Sequence, residues 1–102
     1  MININDFSSV LLTGSWTTSS HPDQVIKIHQ YLDFILFHMP DGSERAILTN
    51  GNIEYGQTLL MRWIETFEED GQRISTHFKT RLKVVSENIM EETDSGVKWT
   101  RV

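Results

Sequence analysis

Short segments rich in Val, Ile, Thr, Phe, Tyr and Trp recur along the chain, each closed by a cluster of turn-forming residues. The clusters are Ser19-Ser20-His21-Pro22-Asp23, Pro40-Asp41-Gly42-Ser43, Asn50-Gly51, Asp70-Gly71, Ser86-Glu87-Asn88 and Asp94-Ser95-Gly96. Asn-Gly and Asp-Gly suit type I′ turns, because both central residues tolerate positive φ. Between the clusters, apolar and polar residues alternate with the period of two that marks a half-buried strand. No stretch after residue 13 keeps a helical apolar period for three turns. The one helix the pattern predicts is short, from Asn5 or Asp6 to about Leu12, with Asp6 as N-cap.

Pairing residues across each turn tests the hairpins. With Asp70-Gly71 as a two-residue loop, Phe67 faces Ile74, Trp63 faces Phe78, Met61 faces Thr80 and Leu59 faces Leu82. The alternate set pairs Glu68 with Arg73, Thr66 with Ser75, Ile64 with His77 and Leu60 with Arg81. One register thus sorts a bulky apolar face from a mostly polar one. Arg62 opposite Lys79 is the one poor pair, tolerable on a solvated face.

Two-residue loops at Asp41-Gly42 and Asn50-Gly51 link three further strands. Phe37, Ala46 and Tyr55 then line up, as do Ile35, Leu48 and Ile53, and these form the predicted inner face. The other face carries His38 with Arg45, and also Phe34, Leu36 and Ile47. Exposed together, those last three would make an apolar patch, either a subunit interface, as in a homodimer, or a surface covered by the N-terminal helix. At Ser86–Asn88 the loop has two or three residues, and the choice decides whether Met90 or Glu91 points inward.

About eight strands averaging ~8 residues nearly exhaust the chain, leaving tight turns. A sheet of that size hides its edges most directly by closing, and barrels near eight strands hold side chains or one small ligand. The expected fold is therefore all-β: a small up-and-down antiparallel barrel with a short N-terminal helix, one domain over residues 1–102.

Composition narrows the function classes. The chain has 102 residues, 14 acidic and 9 basic, with a formal net charge of −5. That balance argues against a nucleic-acid partner, which needs a basic stripe. Cysteine is absent, so disulfides, thiolate nucleophiles and Cys-based metal sites are excluded together. The longest apolar run falls far short of the ~20 residues of a membrane helix. The start, Met1-Ile2-Asn3-Ile4-Asn5-Asp6, has neither the basic residues nor the apolar core of a signal peptide, which points to the cytoplasm if the chain is complete.

Two short segments carry a resemblance. Leu12-Thr13-Gly14-Ser15-Trp16 opens the first strand, and Lys98-Trp99-Thr100-Arg101-Val102 closes the last. A Gly-x-Trp at the start with an Arg on the final strand resembles the calycin superfamily of lipocalins, fatty-acid-binding proteins and avidins. The nearest likeness is to small bacterial lipocalin-like proteins, which share a terminal Trp-x-Arg-Val and a strand similar to Asn52-Ile53-Glu54-Tyr55. The resemblance implies that Gly14, Trp16, Trp99 and Arg101 close one end of a barrel, with Arg101 across the Trp16 ring. It also implies binding of a small hydrophobic or amphipathic molecule at the open end. The chain departs from secreted lipocalins in its shortness, its lack of cysteines and its lack of their later motifs. The avidin-like Leu-Thr-Gly-x-Trp-Thr has no support downstream.

Candidate ligand-lining residues are Tyr31, Asp33, Phe37, Tyr55, Trp63, Glu65, Phe67 and Phe78. Glu65 faces Thr76 on the aromatic-rich face, where an ionisable group is costly unless paired or wet. It is either a polar anchor for a ligand between Trp63, Phe67 and Phe78 or a solvated carboxylate at the barrel mouth. Asp33 has the same ambiguity. The aromatic residues equally fit a solid core, which would make the barrel an interaction or self-associating module. The four histidines, His21, His29, His38 and His77, show no metal-ligand spacing. No cofactor is expected, and no Ser/His/Asp arrangement or phosphate loop appears. Catalysis is not expected; an isomerase or cyclase using Glu65 or Asp33 as base would need a dry cavity.

Overall fold

The computed structural model describes residues 10–49 and 52–102. Among them eight strands follow one another: β1 (Gly14–Thr18), β2 (His21–Gln30), β3 (Phe34–His38), β4 (Glu44–Leu48), β5 (Thr58–Glu69), β6 (Gln72–Ser86), β7 (Ile89–Glu92) and β8 (Lys98–Arg101). They form one sheet in the order β4-β3-β2-β1-β8-β7-β6-β5, with every neighbouring pair antiparallel. The sheet curls until its two end strands, β4 and β5, meet through side chains, and no backbone ladder joins them among the described residues. The result is an up-and-down, nearly closed barrel of calycin-like form. The helix expected over residues 6–12 lies largely outside the described residues; Val10 and Leu12, at its end, are buried irregular chain. No helix among the described residues is long and apolar enough to cross a membrane.

Inside the barrel, Trp16, Ile28, Ile35, Phe37, Met61, Leu82, Val84 and Met90 are fully buried. Each lies on the inward parity of its strand, so the period-two pattern places them in one core. Together these side chains fill the lower barrel. At β6–β7 the bulge between Val84 and Ser86 sets Met90 opposite Val84, which turns Met90 inward.

The β5–β6 hairpin has the register read across Asp70-Gly71, from Leu59↔Leu82 through Trp63↔Phe78 to Phe67↔Ile74. Asp70 and Gly71 both have positive φ, 52° and 76°, which suits a type I′ turn.

The β3–β4 hairpin differs from the expected one by a single residue. Phe37 pairs with Arg45 rather than Ala46, and Ile35 with Ile47 rather than Leu48. Pro40 explains the shift. Gly42 N–H donates to Met39 O at 3.0 Å, Met39 N–H donates to Ser43 O at 2.8 Å, and Gly42 has φ +90°. That is a type I turn with Pro40 at its second position, followed by a left-handed glycine, so the loop has three residues instead of two. One added loop residue flips every side chain of β4. Ile47 is buried, 4% exposed, while Ala46 and Leu48 face solvent. The expected Phe34/Leu36/Ile47 patch therefore does not form; Phe34 and Leu36 stay half-buried outside, and Tyr31 stacks on Phe34 at 4.5 Å.

The third expected strand around Ile53 and Tyr55 is also absent, since residues 52–57 are irregular. Ile53 is nonetheless fully buried, with its carbonyl accepting from Val10 N–H at 2.8 Å. Strand lengths are very unequal, because β5 and β6 run 12 and 15 residues while five of the others have 4 or 5. The surplus forms a two-stranded arm beyond the barrel. Its reach appears in a 63 Å long axis and a radius of gyration of 15.3 Å, against about 13 Å for a compact chain of this length.

Candidate functional site

Alternating strand direction sorts the turns into two ends. The β1–β2, β3–β4 and β7–β8 turns and the arm share one end, the mouth. The β2–β3, β4–β5 and β6–β7 connections share the other.

The second end is closed. Trp16 Nε1 donates to Leu12 O at 2.8 Å, and the Arg101 guanidinium lies 4.7 Å from the Trp16 ring. Arg101 also donates to the carbonyls of Leu11, Thr13 and Glu87, tying the N-terminal chain to the β6–β7 turn. Gly14 has φ +148°, and a Cβ there would stand 2.5 Å from Arg101 Nη1. Gly14, Trp16 and Arg101 thus form one unit. Trp99 does not belong to it; it lies nearer the mouth, edge-on to Phe37 at 5.9 Å, with Nε1 donating to Glu92 at 2.8 Å.

The ligand-lining candidates divide among three places. Tyr31, Asp33 and Tyr55 are exposed near the closed end, and the Asp33 carbonyl accepts from Thr49 N–H at 2.9 Å. Phe37 is packed into the core. Trp63, Glu65, Phe67 and Phe78 share the inward face of the arm, where Trp63 and Phe78 stack at 5.5 Å.

The mouth is a hollow of about 390 Å³ whose wall includes Ile26, Met39, Glu92, Trp99, His21 and Arg45. Arg45 connects it to the arm. The shifted register points this side chain inward, where its guanidinium sits 3.8 Å from the Trp63 ring centroid. Glu65 Oε1 lies 3.9 Å from Nη2 and accepts from Trp63 Nε1 at 3.2 Å. Met61 Sδ is 3.9 Å from Nη1. Arg45 Nε is buried with no hydrogen-bond partner among the described residues. Burial pulls the guanidinium below its usual pKa, and the Glu65 carboxylate opposes that; an arginine remains cationic nonetheless. A partly desolvated cation with an unsatisfied donor, set against an indole face, attracts an acceptor-bearing or anionic group.

The loop-length reading missed Arg45, because two loop residues at Asp41-Gly42 send it outward with His38. Pro40 was the available signal. Glu65 is exposed on the arm, and Asp33 at a bend. His29 and His38 meet edge-to-face at 5.4 Å, and His77 lies on the outward parity of the arm. Among the described residues, no group of three or more His, Asp or Glu could hold a metal ion.

Compared with known proteins, the chain matches no family model, and no curated protein or solved structure matches it significantly. The antiparallel, nearly closed barrel is consistent with a calycin-like fold.

Proposed function

We propose that this protein is a lipocalin-like, non-catalytic binder of a small amphipathic molecule held at the barrel mouth by Arg45. The buried, unpartnered Nε of Arg45 is the observation that carries the reading. Its surroundings fit the same ligand class: Ile26, Met39 and Trp99 offer apolar wall, and the hollow of about 390 Å³ lies within the usual range of ligand pockets. The ligand's apolar part gains from burial, and its acceptor end satisfies the guanidinium. Glu65 acts beside this contact by orienting Arg45. The filled lower barrel limits the guest to the mouth, so a short or flat molecule fits better than a long chain.

Titration with the anionic fluorophore 8-anilinonaphthalene-1-sulfonate tests the reading. Expected is saturable enhancement at one site, weakened at least tenfold in Arg45→Gln, about 1.4 kcal/mol, and unchanged in Phe67→Ser on the arm. Absence of saturable binding, or equal affinity in Arg45→Gln, would overturn it. Unaltered circular dichroism confirms that the variants are folded.

A further inference from the structure

From Trp63 and Phe78 to its tip, the arm is a two-stranded ribbon with no third strand on either edge among the described residues. An isolated ribbon is marginal in water. This one also exposes Phe67 (45%) on one face and Ile64 (58%) on the other. The two free edges differ in charge. The β6 edge carries Arg73, His77 and Lys79 with no acidic residue, so pairing it with another β6 would oppose Arg73 to Lys79. The β5 edge reads Arg62-Trp63-Ile64-Glu65-Thr66-Phe67-Glu68, which is complementary to its own reverse.

We propose that two copies of this chain associate through antiparallel β5–β5′ pairing on a two-fold axis at Glu65. In that register Arg62 of each copy faces Glu68 of the other, Trp63 faces Phe67, and Ile64 faces Thr66. Opposite charges and aromatic pairs are the favourable cross-strand combinations. Glu65 meets its own copy at the axis, and each carboxylate has Arg45 3.9 Å away to offset the repulsion. The registers two residues to either side place Glu68 opposite Leu60 or Ile64, and neither matches Arg62 with Glu68. Beside this edge, a hollow of about 780 Å³ opens between β4 and the arm, with Glu44, Ala46, Arg62, Ile64 and His77 in its wall. An isologous pair of this kind closes at two copies, and the basic β6 edges discourage further addition.

Sedimentation equilibrium across a concentration series, with Arg62→Glu and Glu68→Arg made separately, tests the pairing. Both side chains are exposed in the single chain, so each variant is expected to fold. The unaltered protein should reach twice the mass of one chain. Each variant alone should dissociate at least tenfold more readily, because two opposite-charge pairs become like-charge pairs. Mixing the two variants should restore the dimer, since both pairs are then complementary again. A protein monomeric at every concentration overturns the proposal. So does a dimer indifferent to both substitutions, or a mixture that stays monomeric.

Discussion

The barrel body and the arm belong to the same two long strands, yet the same alternation has different consequences in each. Below Met61 and Leu82 the inward residues are fully buried. Above them Trp63 is half-buried, and Phe67 and Phe78 are 45% and 39% exposed. Local sequence does not distinguish the regions, because both alternate and both pair in register. What differs is whether the sheet has curled round to place another strand opposite. Burial is therefore a property of closure, and the apolar face of a strand becomes core only where the barrel encloses it.

The largest expected effect compares the two regions directly. Leu82→Ala should destabilise the fold by about 2–5 kcal/mol, through lost burial and a cavity the barrel cannot collapse. Phe67→Ala should cost less than about 1 kcal/mol in the monomer, as its ring is already half in water. Urea unfolding at low protein concentration reads both, and equal losses would erase the distinction. Next is the closed end, where Gly14→Ala should cost about 1–3 kcal/mol. A methyl there meets the Arg101 guanidinium at a φ that side chains seldom adopt. Thermal unfolding measures the loss, and a neutral result would mean that Arg101 moves aside freely.

Hydrogen exchange sharpens the comparison along one strand. Amides of Leu59 and Met61 should be protected at the level of global unfolding, whereas those of Trp63 to Phe67 should exchange at least tenfold faster in dilute protein. Equal protection in dilute protein would mean the arm is as stable as the body. The smallest effect is at the β3–β4 turn that aims Arg45. Ser43 N–H and hydroxyl donate to Asp41 Oδ1, and these bonds, the hydroxyl's foremost, lower the Asp41 pKa from 3.8. A carboxyl lowered on folding contributes stability above its unfolded pKa, and that contribution is lost as pH falls through the folded value. Asp41→Asn should thus flatten a small loss of stability below about pH 4, read by comparing acid titrations of the two proteins. An unchanged acid profile would remove Asp41 from the turn's energetics.

Legibility varied with loop chemistry. Asp70-Gly71 stands between long alternating strands, and a wrong register there would expose Leu59, Met61 and Leu82 together, so the pairing could be read at once. At Pro40-Asp41-Gly42 the neighbouring apolar residues tolerate either of two registers. Ala46 and Leu48 look as suitable for the core as Ile47, and the turn type alone decides between them. That decision reversed β4 and with it the orientation of Arg45. Trp99 was expected to close the barrel end with Trp16, but its distance from Trp16 depended on how β1 and β8 align.

By itself the sequence determined an all-β chain, an up-and-down order and the full register of the longest hairpin. These follow from local turn preferences and period-two alternation, which act over a few residues. Only the tertiary structure decided which strands end the sheet, how far the arm extends past the closure, and that Arg45 occupies the mouth. Those depend on strand curvature and on loops whose length changes by one residue, and a one-residue change inverts a face.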